Sequence, residues 1–314
     1  MVPEAEFTSY YGRQIVKPSP WEADIPAYLF AGGLAAGSSL LAAGADLTGR
    51  PDLRRTGRLG ALAALTFSMI ALVHDLGRPS HFLNMLRTAK LTSPMSVGTW
   101  ILSGYGPFAA TAAMAELADM LPVDTTRGPL RLLSWLGGPA GLFAAVGAPP
   151  LAAYTAVLLA DTATPSWHEA YRELPFVFVG SAAAASGGLG MIASPVVQTG
   201  PARRMALGGA VLELLAEHRM EGSMGITAEP LHQGKAGQLM KASKALTAAG
   251  AVGSLLAGRS RTAAVLSGLA LMTGSVCTRF GVFEAGQASA RDPKYTVVPQ
   301  RERLDRGEPV RSDR

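Results

Sequence analysis

The sequence contains a single cysteine, Cys277, and few charged residues. One thiol excludes a disulfide framework, a cysteine-ligated iron–sulfur cluster and a structural zinc site within this chain. Any redox metal would therefore have to lie on another subunit. The N-terminal stretch also lacks the continuous apolar segment of a secretory signal, so we expect no cleavable signal peptide.

Charged residues make up only 16% of the 314 residues, against about a quarter in soluble domains. Hydrophobic residues account for 48%, and the mean hydropathy is +0.23. These values exclude an intrinsically disordered chain and disfavour an ordinary soluble enzyme. The net charge of +5 comes from arginines in short runs between apolar stretches, which argues against a basic nucleic-acid-binding patch.

Eight stretches are long and apolar enough to cross a bilayer, which needs about 20 residues of helix. Their interiors are rich in small residues, such as the GGLAAGSS run at 32–39, which let helices pack closely in lipid. The sequence therefore predicts an all-α polytopic membrane bundle of about eight transmembrane helices, rather than a soluble all-α protein. The predicted spans are 26–46, 57–75, 96–120, 134–160, 172–194, 204–218, 238–257 and 262–285.

With eight spans, both termini lie on one side of the membrane, which we call side A; the opposite side is side B. The loops at side B contain ten arginines, whereas the loops at side A contain six cations. The positive-inside rule therefore predicts that side B is cytoplasmic, and that the termini and the 74–100 loop are extracytoplasmic at the cell membrane. The predicted organisation is an N-terminal segment (1–25), the transmembrane domain (26–285) and a charged tail (286–314).

Ionisable residues inside the predicted spans gather towards side A. A charge within hydrocarbon costs at least about 2.5–3.5 kcal/mol, so several charges in one leaflet indicate a shared polar cavity or a proton path. The alternative interpretation is that some of these residues mark helix ends in the headgroup zone. The proton-transfer candidates are Glu213, Lys241, Arg279 and Glu284.

Four blocks of sequence resemble the NrfD/PsrC family, the membrane subunits of polysulfide-reductase-type respiratory complexes. The 74–100 block is the most specific of them, and the resemblance covers roughly residues 20–295. The blocks are YLFAGG at 28–33, LGRP with FLNML and TSPMSVGTW within 76–100, YTAVLL followed by TPSW within 154–167, and RFG with AG within 279–286.

The resemblance implies an eight-helix subunit that binds menaquinone or ubiquinone and holds no haem or metal. It implies electron exchange between the membrane quinone pool and a ferredoxin-like iron–sulfur subunit, and through that partner a molybdopterin or cytochrome catalytic subunit. The family's quinone site lies near the start of the first helix and the side-A end of the fourth. Those positions hold Tyr28 and Tyr154 in this sequence, although some members have a histidine at the first of them.

Quinone chemistry needs hydrogen-bonding groups for the two ring oxygens and a route for protons. A phenol such as Tyr154 can bond a quinone carbonyl, and Asp75 or His81 can relay protons. His81 can titrate near neutral pH, but a solvated interface histidine is the simpler interpretation. Trp100 and Trp167 are interpreted first as interface anchors. The predicted quinone-binding set is Tyr28, Asp75, His81, Asn84 and Tyr154.

Three other functions compete with that of a quinone-reactive subunit. A haem-b anchor needs paired histidines within the bundle, but the five histidines lie at span ends or in loops. A secondary transporter is kept as an alternative because Pro149-Pro150 in the fourth span resembles a broken helix, although no counterpart is visible. A purely structural anchor for an extrinsic enzyme is the other alternative. In each case the chain is a subunit or carrier rather than a catalyst on its own.

Overall fold

The computed structural model describes residues 13–76, 84, 86–87, 89–122 and 128–307. Within these ranges all regular structure is helical, as the sequence predicts. Eight long helices run antiparallel to their neighbours in sequence, and two short ones, α5 and α10, lie at side A. The helices are α1 (Asp24–Leu47), α2 (Pro51–Asp75), α3 (Pro94–Met120), α4 (Gly128–Ala160), α5 (Pro165–Glu169), α6 (Leu174–Ala193), α7 (Gly200–Ser223), α8 (Gly234–Leu256), α9 (Arg261–Arg291) and α10 (Lys294–Asp305).

Prolines and a glycine set several of the helix ends. Pro51, Pro94 and Pro165 each begin a helix, where the missing N–H is not needed for a hydrogen bond. Gly49, in the three-residue connection between α1 and α2, has a φ of +66°, a conformation that costs other residues energy. This tight turn lets α2 return directly alongside α1.

The chain is a polytopic helical membrane bundle. Five helices, α1, α2, α4, α6 and α9, are long and apolar enough to cross a membrane. The other three long helices, α3, α7 and α8, have the length of a span, and α7 and α8 carry charged residues. Each of the eight predicted spans falls on one long helix.

Several helix boundaries differ from the prediction. α4 begins at Gly128 instead of residue 134, and α9 continues to Arg291, past the predicted end at residue 285. The segment after Gly286 therefore contains the end of α9 as well as α10. α4 also runs as one helix through Pro149 and Pro150, so the broken helix on which the transporter alternative rests is absent from α4.

The long helices form two groups of four, α1–α4 and α6–α9, which meet along α1, α4, α6 and α9. Glycines allow the closest contacts. A Cβ on Gly180 would lie 2.6 Å from the backbone nitrogen of Glu213, and one on Gly187 would lie 2.6 Å from that of Ala206. α6 and α7 therefore pack backbone against backbone, as small residues permit in lipid.

A buried ion-pair cluster joins α1, α2 and α3 at side B. Glu116 is 1% exposed and accepts hydrogen bonds from Arg54 Nε at 2.5 Å and Arg58 Nη1 at 3.0 Å. Asp46 pairs with the same two arginines at 3.1 and 2.8 Å. These contacts compensate a carboxylate that the sequence places inside a span, and they hold the side-B ends of three helices together.

Candidate functional site

A cavity of about 550 Å³ lies among the side-A halves of α1, α2, α3 and α4. Most of its wall is apolar, and a few polar side chains face it. The residues that line it are Trp21, Ile25, Tyr28, Leu65, Met69, Leu72, Asp75, Leu76, Met95, Gly98, Thr99, Leu102, Ser103, Gly106, Tyr154 and Leu158.

Two phenols meet in the wall of this cavity. Tyr28, on α1, is 3% exposed, and Tyr154, on α4, is 8% exposed. Both side chains line the cavity and interact with each other. On the neighbouring helix α2, the Ser68 hydroxyl donates to the backbone carbonyl of Tyr28 at 3.3 Å. The backbone of Tyr28 is therefore tied to α2.

Gly98 makes room for the Tyr154 ring. A Cβ at this position of α3 would lie 1.7 Å from Cζ and 2.1 Å from the hydroxyl oxygen of Tyr154. Since such a distance is far inside van der Waals contact, the phenol can lie against α3 only because residue 98 has no side chain. Thr99 and Ser103 continue the wall of the cavity along the same helix.

The rim of the cavity at side A is polar and tied to the N-terminal segment. Asp75, the last residue of α2, is half-buried and lies near the backbone of Glu22 in the N-terminal segment. The adjacent His74 pairs through Nδ1 with Asp24 Oδ2 at 2.8 Å. Trp21 lines the cavity and stacks on the indole of Trp167, with ring centroids 6.0 Å apart.

The deeper wall is apolar and lies between α2 and α3. Leu65 and Met69 face the cavity from α2, and Leu102 and Gly106 face it from α3. A second cavity, on the outer side of α2, shares Leu65 and Met69 with the first. Such a site can hold a flat ring near the phenols and an apolar chain between the two helices.

A second polar cluster lies in the other half of the bundle, inside α6–α9. Glu213 and Arg279 are 1% and 0% exposed, and Thr278 Oγ1 donates to Glu213 Oε1 at 2.6 Å. Arg279 Nη2 donates to the carbonyl of Phe178 at 2.8 Å, and the guanidinium carbon lies 3.8 Å from the centre of that ring. Glu217, one turn from Glu213 on α7, is 0% exposed.

Comparison with known families gives one match. The family described as "Polysulphide reductase, NrfD" matches residues 14–207, which is more than half of the chain. The chain belongs to the NrfD family. NrfD proteins are membrane subunits of quinone-linked oxidoreductase complexes and normally partner with iron–sulfur subunits. No curated protein matches the chain.

In this NrfD family member, three of the five predicted quinone-binding residues line one cavity: Tyr28, Asp75 and Tyr154. Asn84 is exposed and does not line it. His81 lies outside the described residues.

Of the predicted proton-transfer residues, the structure brings Glu213 and Arg279 together in the buried cluster. Lys241 is exposed on α8. Glu284 instead pairs with Lys235 at 2.6 Å, where both side chains are partly exposed. In the part of the chain that the structure describes, no group of histidine, cysteine and carboxylate side chains is arranged to hold a metal ion.

The two tryptophans interpreted as interface anchors have different environments. Trp100 is 48% exposed, as an anchor would be. Trp167 is 1% exposed, and its Nε1 donates to the carbonyl of Val282 at 2.8 Å. The anchor interpretation of Trp167 is therefore wrong, because this ring is a core side chain packed against Gly286 of α9.

Sequence reasoning missed two residues of the cavity that matter for its shape, Trp21 and Gly98. Gly98 stands inside the TSPMSVGTW block that carries the family resemblance, so a signal for it was present. Trp21 precedes the first predicted span, and only the folding of the N-terminal segment over the side-A end of α2 brings it to the cavity.

Proposed function

We propose that the chain is the quinone-reactive membrane subunit of a respiratory oxidoreductase complex. It exchanges electrons between the quinone pool and a ferredoxin-like iron–sulfur subunit docked on side A, and through that subunit with a molybdopterin or cytochrome catalytic subunit. The observation that carries the proposal is the apolar cavity at side A with the paired phenols of Tyr28 and Tyr154 in its wall. Membership of the NrfD family supports the same class of partner.

The residues present fit a menaquinone or a ubiquinone. The cavity volume of about 550 Å³ lies within the roughly 300–1,000 Å³ of small-molecule sites. Its apolar walls suit an isoprenoid chain, and the phenol of Tyr154 suits one oxygen of the ring. When bound, the quinone supplies a redox couple that takes up or releases two electrons and two protons.

The chain's own residues bind, orient and handle protons. Tyr154 is the donor for one ring oxygen, and Tyr28, whose side chain interacts with that of Tyr154, helps to orient it. Asp75, half-buried at the rim, accepts a proton from inside the cavity and passes it to solvent at side A. The surrounding apolar walls exclude water, which strengthens each of these hydrogen bonds.

The same proposal includes an orientation in the cell membrane. The excess of arginine in the side-B loops supports a cytoplasmic side B. Side A, with the cavity rim and the docked iron–sulfur subunit, then faces the extracytoplasmic space. Protons leaving at Asp75 are released on that side.

The test is made on the purified full chain in detergent. An optical spectrum is recorded, and bound quinone is extracted and identified, for the native protein and for Tyr154→Phe. We expect co-purified menaquinone or ubiquinone without a haem Soret band, and at least about a tenfold loss of bound quinone in the variant, equivalent to ~1.4 kcal/mol.

Tyr105→Phe is the matched control. Tyr105 is a 2% exposed phenol on α3 that bonds to Ser39 and to the carbonyl of Ala35 and does not line the cavity. Its loss should leave the quinone content unchanged. A strong haem band would move the chain to the cytochrome-anchor class. Absence of both quinone and haem would favour the structural anchor or the transporter.

A further inference from the structure

Three glutamates lie one turn apart along α7: Glu213, Glu217 and Glu221. Residues four apart share a face of a helix, so the three carboxylates form a row that rises from the interior to the side-A end. Glu221 is 15% exposed, whereas Glu217 and Glu213 are 1% exposed or less. Glu213 lies ten residues from the end of α7, or about 15 Å along the helix axis.

The deepest carboxylate, Glu213, is only half satisfied. Its Oε1 accepts from Thr278 Oγ1 at 2.6 Å, and Thr278 is also 2.6 Å from Ser243 Oγ on α8. Its Oε2 has no hydrogen-bond partner among the described residues. Arg279 faces it from α9 with Nε and Nη1 likewise unpartnered, so the guanidinium compensates charge without binding the carboxylate directly.

Glu217 is less satisfied still. Within the described part of the chain, neither of its oxygens has a hydrogen-bond partner. Lys244 Nζ lies 3.7 Å from Glu217 Oε1 but only 2.7 Å from Glu221 Oε1, so the lysine bonds the outer glutamate. A buried carboxylate without a hydrogen-bond donor, and with only one distant cation at 3.7 Å, is disfavoured in the ionised form and favours the protonated form.

The charges that face the pair come from three helices. Glu221 faces it from α7, Lys244 from α8 and Arg279 from α9. Among the described residues of α6, the contribution is the Ser181 hydroxyl and the Phe178 carbonyl, neither of which is charged. One fully buried cation therefore faces two fully buried carboxylates, and one proton on either carboxylate makes the interior neutral.

Towards side B, the interior of α6–α9 is filled mainly by small apolar side chains. Below Glu213, the fully buried side chains of α7 are alanines, each 0% exposed, and Gly209 is buried beside them. The adjoining helices add further small or apolar residues to the same cluster. The cluster contains Leu41, Ala45, Leu53, Ala184, Met191, Ala202, Ala206, Ala210, Ala251, Ala257, Ala264 and Leu271.

We propose that Glu213 and Glu217 form a proton-storage site that holds one proton on one of the two carboxylates, opens to side A through Glu221 and Lys244, and is closed to side B. This site lies in the opposite half of the bundle from the quinone cavity and does not depend on it. The sequence predicts a proton path across the membrane, whereas the proposed site is a pocket with one entrance. Of the four sequence-predicted proton-transfer residues, it keeps Glu213 and Arg279 and adds Glu217.

The first test is infrared spectroscopy of the full chain in phosphatidylcholine vesicles without added quinone. We expect a carboxylic-acid C=O band at neutral pH that shifts in D₂O and is lost in Glu217→Gln. The same band should persist in Glu169→Gln, which changes an exposed carboxylate at side A. Absence of the band in the native protein would overturn the proposal and needs no folded variant.

The second test determines the side of access. The vesicles contain molecules in both orientations, and the fraction with the C-terminus outside is measured by protease removal of a C-terminal tag. The external pH is then changed in one step. The band of these molecules should follow the external pH at once, and that of the inverted molecules only after a protonophore is added. In Lys244→Met the response of the outward molecules should be at least several-fold slower. A band that follows the pH on side B would refute the closed end.

The proposed quinone site and the proposed proton-storage site can be refuted independently of each other. Tyr154→Phe should lose quinone and keep the infrared band, whereas Glu217→Gln should lose the band and keep the quinone. Loss of both signals in either variant would mean that the two sites are coupled, which contradicts the independent storage site.

Discussion

At the scale of single residues, the cavity depends on what residue 98 lacks. The Tyr154 ring occupies the space that any side chain on Gly98 would fill. In Gly98→Ala the phenol must move away from α3, which breaks its pairing with Tyr28. We expect at least about a tenfold loss of bound quinone, equivalent to ~1.4 kcal/mol, measured by extraction from the purified variant.

Gly104→Ala is the control for this prediction. Gly104 lies on the same helix, and a Cβ there would meet nothing within 4 Å. The control variant should bind quinone normally and gain slightly in helix stability. Equal quinone content in the two variants would show that the packing of Gly98 on Tyr154 does not shape the site.

The sequence could predict some residues of the site and not others, for physical reasons. Tyr28, Asp75 and Tyr154 each stand at a helix end on the same side, so topology alone brings them near one another. Glu217 was open to interpretation as a headgroup-zone residue, because the sequence does not reveal that it is buried beside α8. The burial of Glu217 depends on packing between helices, which the sequence pattern of one helix does not reveal.

At the scale of secondary-structure elements, α10 is held to the rest of the molecule by a small polar contact. Lys294 Nζ lies 2.8 Å from Glu229 Oε2, and the Tyr295 hydroxyl donates to the same oxygen at 3.1 Å. The hydrogen bonds from Lys294 and Tyr295 lower the pKa of the Glu229 carboxyl from its ordinary 4.5. The bond to Glu229 likewise raises the pKa of Lys294 above its ordinary 10.5.

The attachment of α10 should therefore depend on pH. A lowered carboxyl pKa means that the contact stabilises the attached helix above about pH 4.5 and is lost as the pH falls through the folded-state value. A raised lysine pKa means that the contact persists at neutral pH and is lost only above about pH 10.5. Hydrogen exchange of residues 294–305, corrected for intrinsic rates, should show faster opening below pH 4.

Glu229→Gln should give this faster opening already at pH 7. Glu302→Gln, an exposed change on α10 itself, should not. If protection of α10 is the same at pH 7 and pH 3, the helix is held by Tyr295 packing and not by the ion pair.

The helices themselves were predictable to different degrees. α1, α2, α4, α6 and α9 stand out by hydropathy. The spans at α7 and α8 were less clear because Glu213, Glu217 and Lys244 interrupt the apolar pattern. These side chains face the inside of the bundle. A hydropathy average does not distinguish them from side chains that face lipid, so it lowers the score of α7 and α8.

At the scale of the whole molecule, the two sides of the bundle carry different polar groups. The cavity rim lies at side A, and the arginine-rich loops and the Glu116 cluster lie at side B. We expect a C-terminal alkaline phosphatase fusion to be active and a C-terminal green fluorescent protein fusion to be dark. Insertion of the same reporters in the 258–261 turn at side B should give the reverse pattern. An active fluorescent protein at the C-terminus would invert the assigned orientation.

The indoles of Trp21 and Trp167 at the cavity rim allow occupancy of the cavity to be followed by intrinsic fluorescence. Trp21 faces the cavity and touches Trp167, while the other two tryptophans, Trp100 and Trp135, are 48% and 71% exposed and lie away from the cavity lining. An electron-accepting ring that enters beside Trp21 quenches indole emission. Titration with a soluble quinone analogue should therefore dim the native fluorescence in a saturable way, and Trp21→Phe should remove most of that response, so occupancy can be followed without any label.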